Sequence, residues 1–358
     1  MRRSDSSKAR MTACSFFQAM LFERSAMPDA VRLYACGRRG RSIGAALLAV
    51  ALSLSLAGPV TAAVRIPVLK QVTAPHPYYW REMYVPQLTS GPSSVAWSRD
   101  GKSLYFSMQG RIWRQELSSQ TAEQVTSGAG YDYQPDVSPD GNSLVFARRL
   151  GDAINLVVID LRSGNESSVT AGDAVNVEPR WSPDGKSIAY VTTAESGNFH
   201  IALAVRDGAA WMSRRWRPES KAEIPRYYYA ATDHELSPAW SPDGSELMFV
   251  SNEGALHGTG RIVRQRFDLS APPEIVRDEE TNWKARPVWS PDGRRVAYAS
   301  YLGRQWHQLW LTPAAPGGYP MPFTYGDFDI ASPRWSPDGS KIAYVTNEAG
   351  GLAIEIVD

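Results

Sequence analysis

The chain has 358 residues, 43% of them apolar and 21% charged, the balance of a folded soluble protein, which excludes disorder, a collagen-like fibre and a polytopic membrane protein. Net charge is +1, but residues 1–63 take 9 of the 38 Lys+Arg and 3 of the 37 Asp+Glu, leaving 29 and 34 for residues 64–358. A mildly acidic body excludes a nucleic-acid partner, which would need clustered positive charge.

The first segment in chain order is a leader, residues 1–63. Arg38, Arg39 and Arg41 precede an apolar run from Ile43 to Gly58, and the small residues Val60-Thr61-Ala62-Ala63 follow. The run is shorter than the roughly 20 residues a spanning helix needs, and the order of charge, apolar run and small residues is that of a cleavable secretory signal. The expected location is periplasmic or secreted, with no membrane span after cleavage. Met27 is a plausible true start. A twin-arginine signal is disfavoured, since Arg41 sits where that motif prefers an apolar residue. Both cysteines, Cys14 and Cys36, lie in the leader. The mature chain is therefore expected to have no disulfide, thiolate nucleophile, cysteine zinc site or lipid attachment.

After a short lead-in, residues 64–83, one word recurs six times: WSRDG at Trp97–Gly101, VSPDG at Val137–Gly141, and WSPDG from Trp181, Trp240, Trp289 and Trp335. Its closing glycines, Gly101, Gly141, Gly185, Gly244, Gly293 and Gly339, are spaced 40, 44, 59, 49 and 46 residues apart, the period of a four-stranded propeller blade. Ser-Pro-Asp-Gly suits a tight hairpin: proline presets φ, Asp accepts local amides and Gly supplies φ > 0. A second strand follows each word, as in Ser187–Val191 and Lys341–Val345. Third strands are predicted at Ile112–Leu117, Asn155–Leu161, His200–Val205, Arg261–Phe267, Gln308–Leu311 and Ala353–Val357. Fourth strands end near Leu88-Thr89, Val125-Thr126, Val169-Thr170 and Phe323-Thr324. The last unit stops after its third strand, so Tyr84–Thr89 is expected to complete it and close the ring. The predicted fold is all-β: a six-bladed propeller of four-stranded antiparallel blades over residues 84–358, closed by an N-terminal strand.

The PxWSPDG words (Pro179–Gly185, Pro238–Gly244, Pro287–Gly293, Pro333–Gly339) and their IAY/VAY strands resemble those of TolB-like β-propellers. The resemblance spans roughly 275 residues and implies a propeller whose channel mouth contacts proteins. TolB itself carries an α/β domain ahead of its propeller, where this chain has only Val64–Met83, so the likeness is to the propeller portion. His76–Gly91 also resembles the lead-in of secreted metallohydrolases, in which such a propeller precedes an amidohydrolase- or PHP-type catalytic domain.

No GxSxG elbow, HExxH pair or Gly-rich phosphate cradle occurs, so no catalytic residue, cofactor or metal site is assigned. Asp233-His234-Glu235 is the best metal candidate, but alternation along an extended segment opposes His234 to the two carboxylates. The Asp of each SPDG word reads as a turn residue, and the Trp of each word as blade packing. The connection entering each PxWS strand rims one mouth of the channel, which makes Asp132, Gln134, Asn176, Glu178, Asp233, Glu235, Trp283, Arg286, Asp327 and Asp329 the mouth-binding candidates. The 59-residue spacing marks an insertion carrying Trp211, Arg214, Arg215, Trp216, Arg217 and Tyr227-Tyr228-Tyr229, a composition suited to interface anchors. Its aromatics are expected to stay partly exposed near the mouth.

The function these observations favour is an exported, non-catalytic, monomeric binding or scaffold module of the cell envelope, with a protein or peptide partner. The alternative is the substrate-facing propeller of a metallohydrolase whose catalytic domain is absent from this chain. A lyase or glycan-binding propeller with a channel site ranks third.

Overall fold

The computed structural model describes residues 9–11, 91–208, 210–219, 233–254, 260–279, 285–302 and 306–358. The repeated word builds one turn six times. In the third copy Ser182 Oγ donates to Asp184 Oδ1 at 2.6 Å, and the same oxygen accepts Lys186 N–H at 3.0 Å. Ser182 Oγ in turn accepts Ser187 N–H at 3.0 Å, and Gly185 N–H closes the turn on Ser182 O at 2.9 Å. The closing glycines all sit at φ between 69° and 75°, where a Cβ is strained. The carboxylate of each Asp is spent on its own turn, and these hydrogen bonds hold its pKa below the ordinary value.

Each turn joins the first two strands of an antiparallel four-stranded sheet. Blade 1 comprises β2 (Pro92–Trp97), β3 (Ser103–Met108), β4 (Arg111–Glu116) and β5 (Glu123–Gln124). Blade 2 comprises β6 (Tyr131–Val137), β7 (Ser143–Leu150), β8 (Ala153–Asp160) and β9 (Glu166–Ser168). Blade 3 has β10 (Asn176–Trp181), β11 (Ser187–Thr192), β12 (His200–Asp207) and β13 (Ala210–Arg215), and blade 4 has β14 (Glu235–Trp240), β15 (Glu246–Ser251), β16 (Arg261–Arg266) and β17 (Glu274–Arg277). Blade 5 runs β18 (Val288–Trp289), β19 (Arg295–Ser300), β20 (Gln308–Pro313) and β21 (Met321–Pro322); blade 6 runs β22 (Ile330–Trp335), β23 (Ile342–Thr346) and β24 (Ala353–Val357). The first strands pack one on the next, and β22 packs on β2, so the six sheets form a closed ring. The protein is a six-bladed, all-β propeller; no helix occurs among the described residues.

The outer position of the last sheet is taken by β1 (Ala9–Met11), antiparallel to β24. Tyr84–Thr89, expected there, lie outside the described residues.

Apolar side chains between blades form the core. The seam between last and first blades holds Val95, Trp97, Leu104 and Phe106 against Ala343, Val345, Ile354 and Ile356, all buried. Two indole N–H groups bridge neighbouring blades: Trp240 Nε1 donates to Arg180 O at 3.2 Å, and Trp97 Nε1 reaches Arg334 O across the seam at 3.0 Å.

The Thr that ends a fourth strand has a definite task. Thr126, Thr170 and Thr324 Oγ1 accept the N–H of Ile112, Leu156 and Leu309, at 2.9–3.0 Å. Blade 3 departs from this pattern. Its fourth strand is Ala210–Arg215, so Trp211, Arg214 and Arg215 belong to a blade and not to an inserted loop. Trp216 follows in the apolar position of the Val-Thr pair, its N–H on Ile201 O at 3.1 Å. It is 7% exposed, stacked on Phe267 (6.3 Å between centroids) and edge-on to Phe249 (5.5 Å). The expectation that it stays exposed is corrected: a large apolar ring at that position is driven into the gap between blades 3 and 4. Arg217 replaces the Thr and cannot accept, and Glu235 supplies the missing acceptor, Oε2 receiving Ile201 N–H at 3.0 Å. Tyr227-Tyr228-Tyr229 lie outside the described residues.

Candidate functional site

An X-Pro pair lies within β6, β10, β14 and β22 and immediately before β18. In β6, β10, β14 and β22 the ladder slips between the residue preceding X and the residue following Pro. X itself sits at positive φ: Gln134 55°, Glu178 55°, Ser237 54°, Arg286 42° and Ser332 54°. A bulge re-aims a side chain, and here it builds a belt of hydrogen bonds round the axis. Gln134 N–H donates to Ser94 Oγ (3.0 Å), Glu178 N–H to Gln134 Oε1 (2.8 Å) and Ser237 N–H to Glu178 Oε2 (2.7 Å). Arg286 continues it with Nε 3.4 Å from Glu178 Oε1 and an N–H on Ser332 Oγ.

Two residues further along the strands lies a second tier, in which the charged members are Asp136, Arg180 and Arg334. Burial lowers the pKa of Arg180 and drives that of Arg334 well down, the latter also because Arg180 and Arg286 are near. Burial also raises the Asp136 carboxyl, against the pull of Arg180 and Arg334. Asp136 Oδ2 accepts Trp181 N–H at 2.9 Å. Three guanidinium groups therefore share this region with two carboxylates, those of Asp136 and Glu178.

The mouth candidates divide into three sets. Gln134, Glu178 and Arg286 belong to the axial belt. Asp132, Asn176, Asp233 and Glu235 are buried. Asp132 takes a bidentate pair from Arg148 (2.6 and 3.0 Å), which also binds Glu166. Asn176 bonds Ile154 O and Thr192 Oγ1. Glu235 pairs with Arg217 at 3.1 Å, and Arg217 with Glu253 at 2.9 Å; burial raises the Glu235 carboxyl to about 7. The backbone N–H of His234 donates to Asn252 Oδ1 at 2.8 Å. Asp327 is exposed, and Asp329 is half-buried and 3.2 Å from His307 Nδ1. Trp283 lies outside the described residues.

Sequence reasoning missed Arg180 and Arg334. The available signal was the middle position of the P-x-W word, Arg in Pro179-Arg180-Trp181 and Pro333-Arg334-Trp335 where other copies have Ala239 and Val288. It also missed an apolar stripe leading to the rim. Tyr319, Met321, Phe323 and Tyr325 are 89%, 66%, 39% and 63% exposed. They alternate with Pro320, Pro322 and the buried Thr324, as one face of an extended edge should.

Fold and site together define a six-bladed propeller with a charged axial belt. Residues 83–213 match the family model described as the TolB beta propeller domain. Solved structures with the same fold include a putative TolB from Agrobacterium tumefaciens, 22% identical over 74% of this chain and 89% of that one, with a TM-score of 0.56. TolB from Acinetobacter baumannii is 16% identical over 78% and 67%, with a TM-score of 0.54. An oligogalacturonate lyase solved in complex with manganese is 15% identical over 75% and 77%, with a TM-score of 0.52. The chain is similar to TolB-like β-propellers, and these likenesses establish its fold.

Proposed function

We propose that this protein is an exported, non-catalytic binding module of the cell envelope, engaging a protein or peptide at the channel rim beside blade 5. The observation that carries the reading is the stripe Tyr319, Met321, Phe323 and Tyr325, large apolar side chains held outward on one edge and running into Asp327 and Asp329. Clustered exposed apolar surface of this kind marks interaction sites, and aromatic residues dominate interface energetics. Pro320 and Pro322 remove amide donors from that edge, so strand addition is blocked and contact falls to side chains. The rim carboxylates select a partner segment pairing apolar side chains with a Lys or Arg.

The apolar run Ile43–Gly58 and the small residues after it support export. Among the described residues, no helix is long and apolar enough to cross a membrane.

The test places a photocrosslinking residue at position 319 or, as a control, at Arg162 on the exposed turn after β8, in cells of the source organism. A crosslinked envelope protein should appear from 319 alone. Binding of that purified protein should weaken about thirtyfold in Tyr319→Ala/Met321→Ala, roughly 2 kcal/mol, with the melting temperature unchanged. Equal crosslinking from both positions, or full affinity in the double variant, would remove the rim from the reading.

A further inference from the structure

We propose that the axial channel binds an oxyanion of the carboxylate class between Arg180, Arg286 and Arg334. The first step is a count of charge with every group ionised: three guanidinium groups share the region with Asp136 and Glu178, one positive charge in excess. The second is the commitment of the acidic oxygens. Asp136 Oδ2 takes Trp181 N–H, Glu178 Oε2 takes Ser237 N–H, and Glu178 Oε1 faces Arg286 Nε. None of these bonds comes from Arg334, which the two carboxylates attract only through space.

The third step is the donors left over. Arg180 and Arg334 each spend one nitrogen on the carbonyl of the preceding proline, at 2.6 and 3.1 Å. Arg334 Nε is buried and has no hydrogen-bond partner within the protein among the described residues. Buried polar groups are almost always bonded, and an exception in a folded protein points to a missing partner. A guanidinium edge matches a carboxylate in two parallel N–H···O bonds. One excess charge fits a monoanion; a phosphate dianion would leave the tier negative. The inference rests on the axial tier alone and holds whether or not the rim binds a protein.

A small carboxylic acid and the free end of a peptide present the same group, and the assay separates them. Melting temperature of the full chain is followed in rising acetate, inorganic phosphate, and tetraglycine with a free or an amidated C-terminus, each against chloride at fixed ionic strength. A ligand of the folded state raises it in a saturable way. The expected result is a saturable rise with acetate or with free tetraglycine and none with the amide. Acetate alone identifies a small acid; free tetraglycine alone identifies a peptide end. The apparent Kd should weaken at least tenfold in Arg334→Gln. In Asp136→Asn, whose side-chain oxygen can still accept Trp181 N–H, it should tighten severalfold, which keeps the proposal testable if Arg334→Gln does not fold. No saturable rise with any carboxylate, a preference for phosphate, an unchanged Kd in Arg334→Gln, or weaker binding in Asp136→Asn would overturn it.

Discussion

At the scale of single residues, Glu235 does the work that threonine does in three other blades. Ile201 N–H needs an acceptor where Ile112, Leu156 and Leu309 find a Thr hydroxyl. A carboxylate can serve, but burial makes its charged form costly despite Arg217. The folded carboxyl holds its proton up to about pH 7, whereas the free group releases it near 4.5. Between those values the folded state binds more protons, so the group's contribution to stability falls as pH rises through that window. Glu235→Gln keeps an acceptor and cannot ionise. Urea unfolding should therefore show the wild type losing roughly 2 kcal/mol relative to the variant between pH 4.5 and 7. Parallel pH profiles would show that Arg217 compensates the buried charge fully. The hairpin glycines make a simpler case. Gly185 at φ 70° has only Pro139 near its missing Cβ, at 3.8 Å, so Gly185→Ala should cost about 1 kcal/mol or somewhat more from backbone strain, read from the same curves.

At the scale of elements, the last blade takes its outer strand from the far end of the chain. β1 lies beside β24, yet Ala9–Met11 precede the apolar run that export would remove. Gly91 fixes the route of the chain into the first blade: a Cβ there would stand 2.6 Å from Leu352, immediately before β24. A protein beginning at Val64 should melt with the full chain, and one beginning at Pro92 several degrees lower, because an apolar-backed edge is exposed. A large loss in the first would tie stability to the leader. Period and turn chemistry made the blades legible, since Ser-Pro-Asp-Gly dictates a local geometry that tertiary context does not override. Third strands accordingly fall within two residues of expectation. Blade 3 was illegible in its fourth strand because Trp216-Arg217 hides the Val-Thr signal, with the acceptor supplied by Glu235 from the next blade. The candidate residues could be named from their spacing ahead of each word. Their commitments could not be, because Asp132 and Asn176 satisfy buried groups on other strands.

At the scale of the whole molecule, the closing seam shares its contacts with the joint between blades 3 and 4. Each closing glycine lies against the preceding blade, Gly185 on Pro139, Gly244 on Pro183, Gly293 on Pro242 and Gly339 on Pro291; Gly101 meets Pro337 across the seam at 3.6 Å. The seam repeats the indole link as well, Trp97 to Arg334 O matching Trp240 to Arg180 O. If the seam is as tight as an internal interface, the domain unfolds in one step and equivalent mutations cost the same at both places. Trp97→Phe and Trp240→Phe each remove one N–H and leave a carbonyl short of its partner, a loss of about 1–2 kcal/mol. Denaturant curves followed by circular dichroism and by tryptophan fluorescence should coincide for both variants, with midpoints displaced alike. A seam that opens early behaves otherwise: Trp97→Phe would then leave the main transition in place, and the two probes would separate as the first and last blades part before the rest.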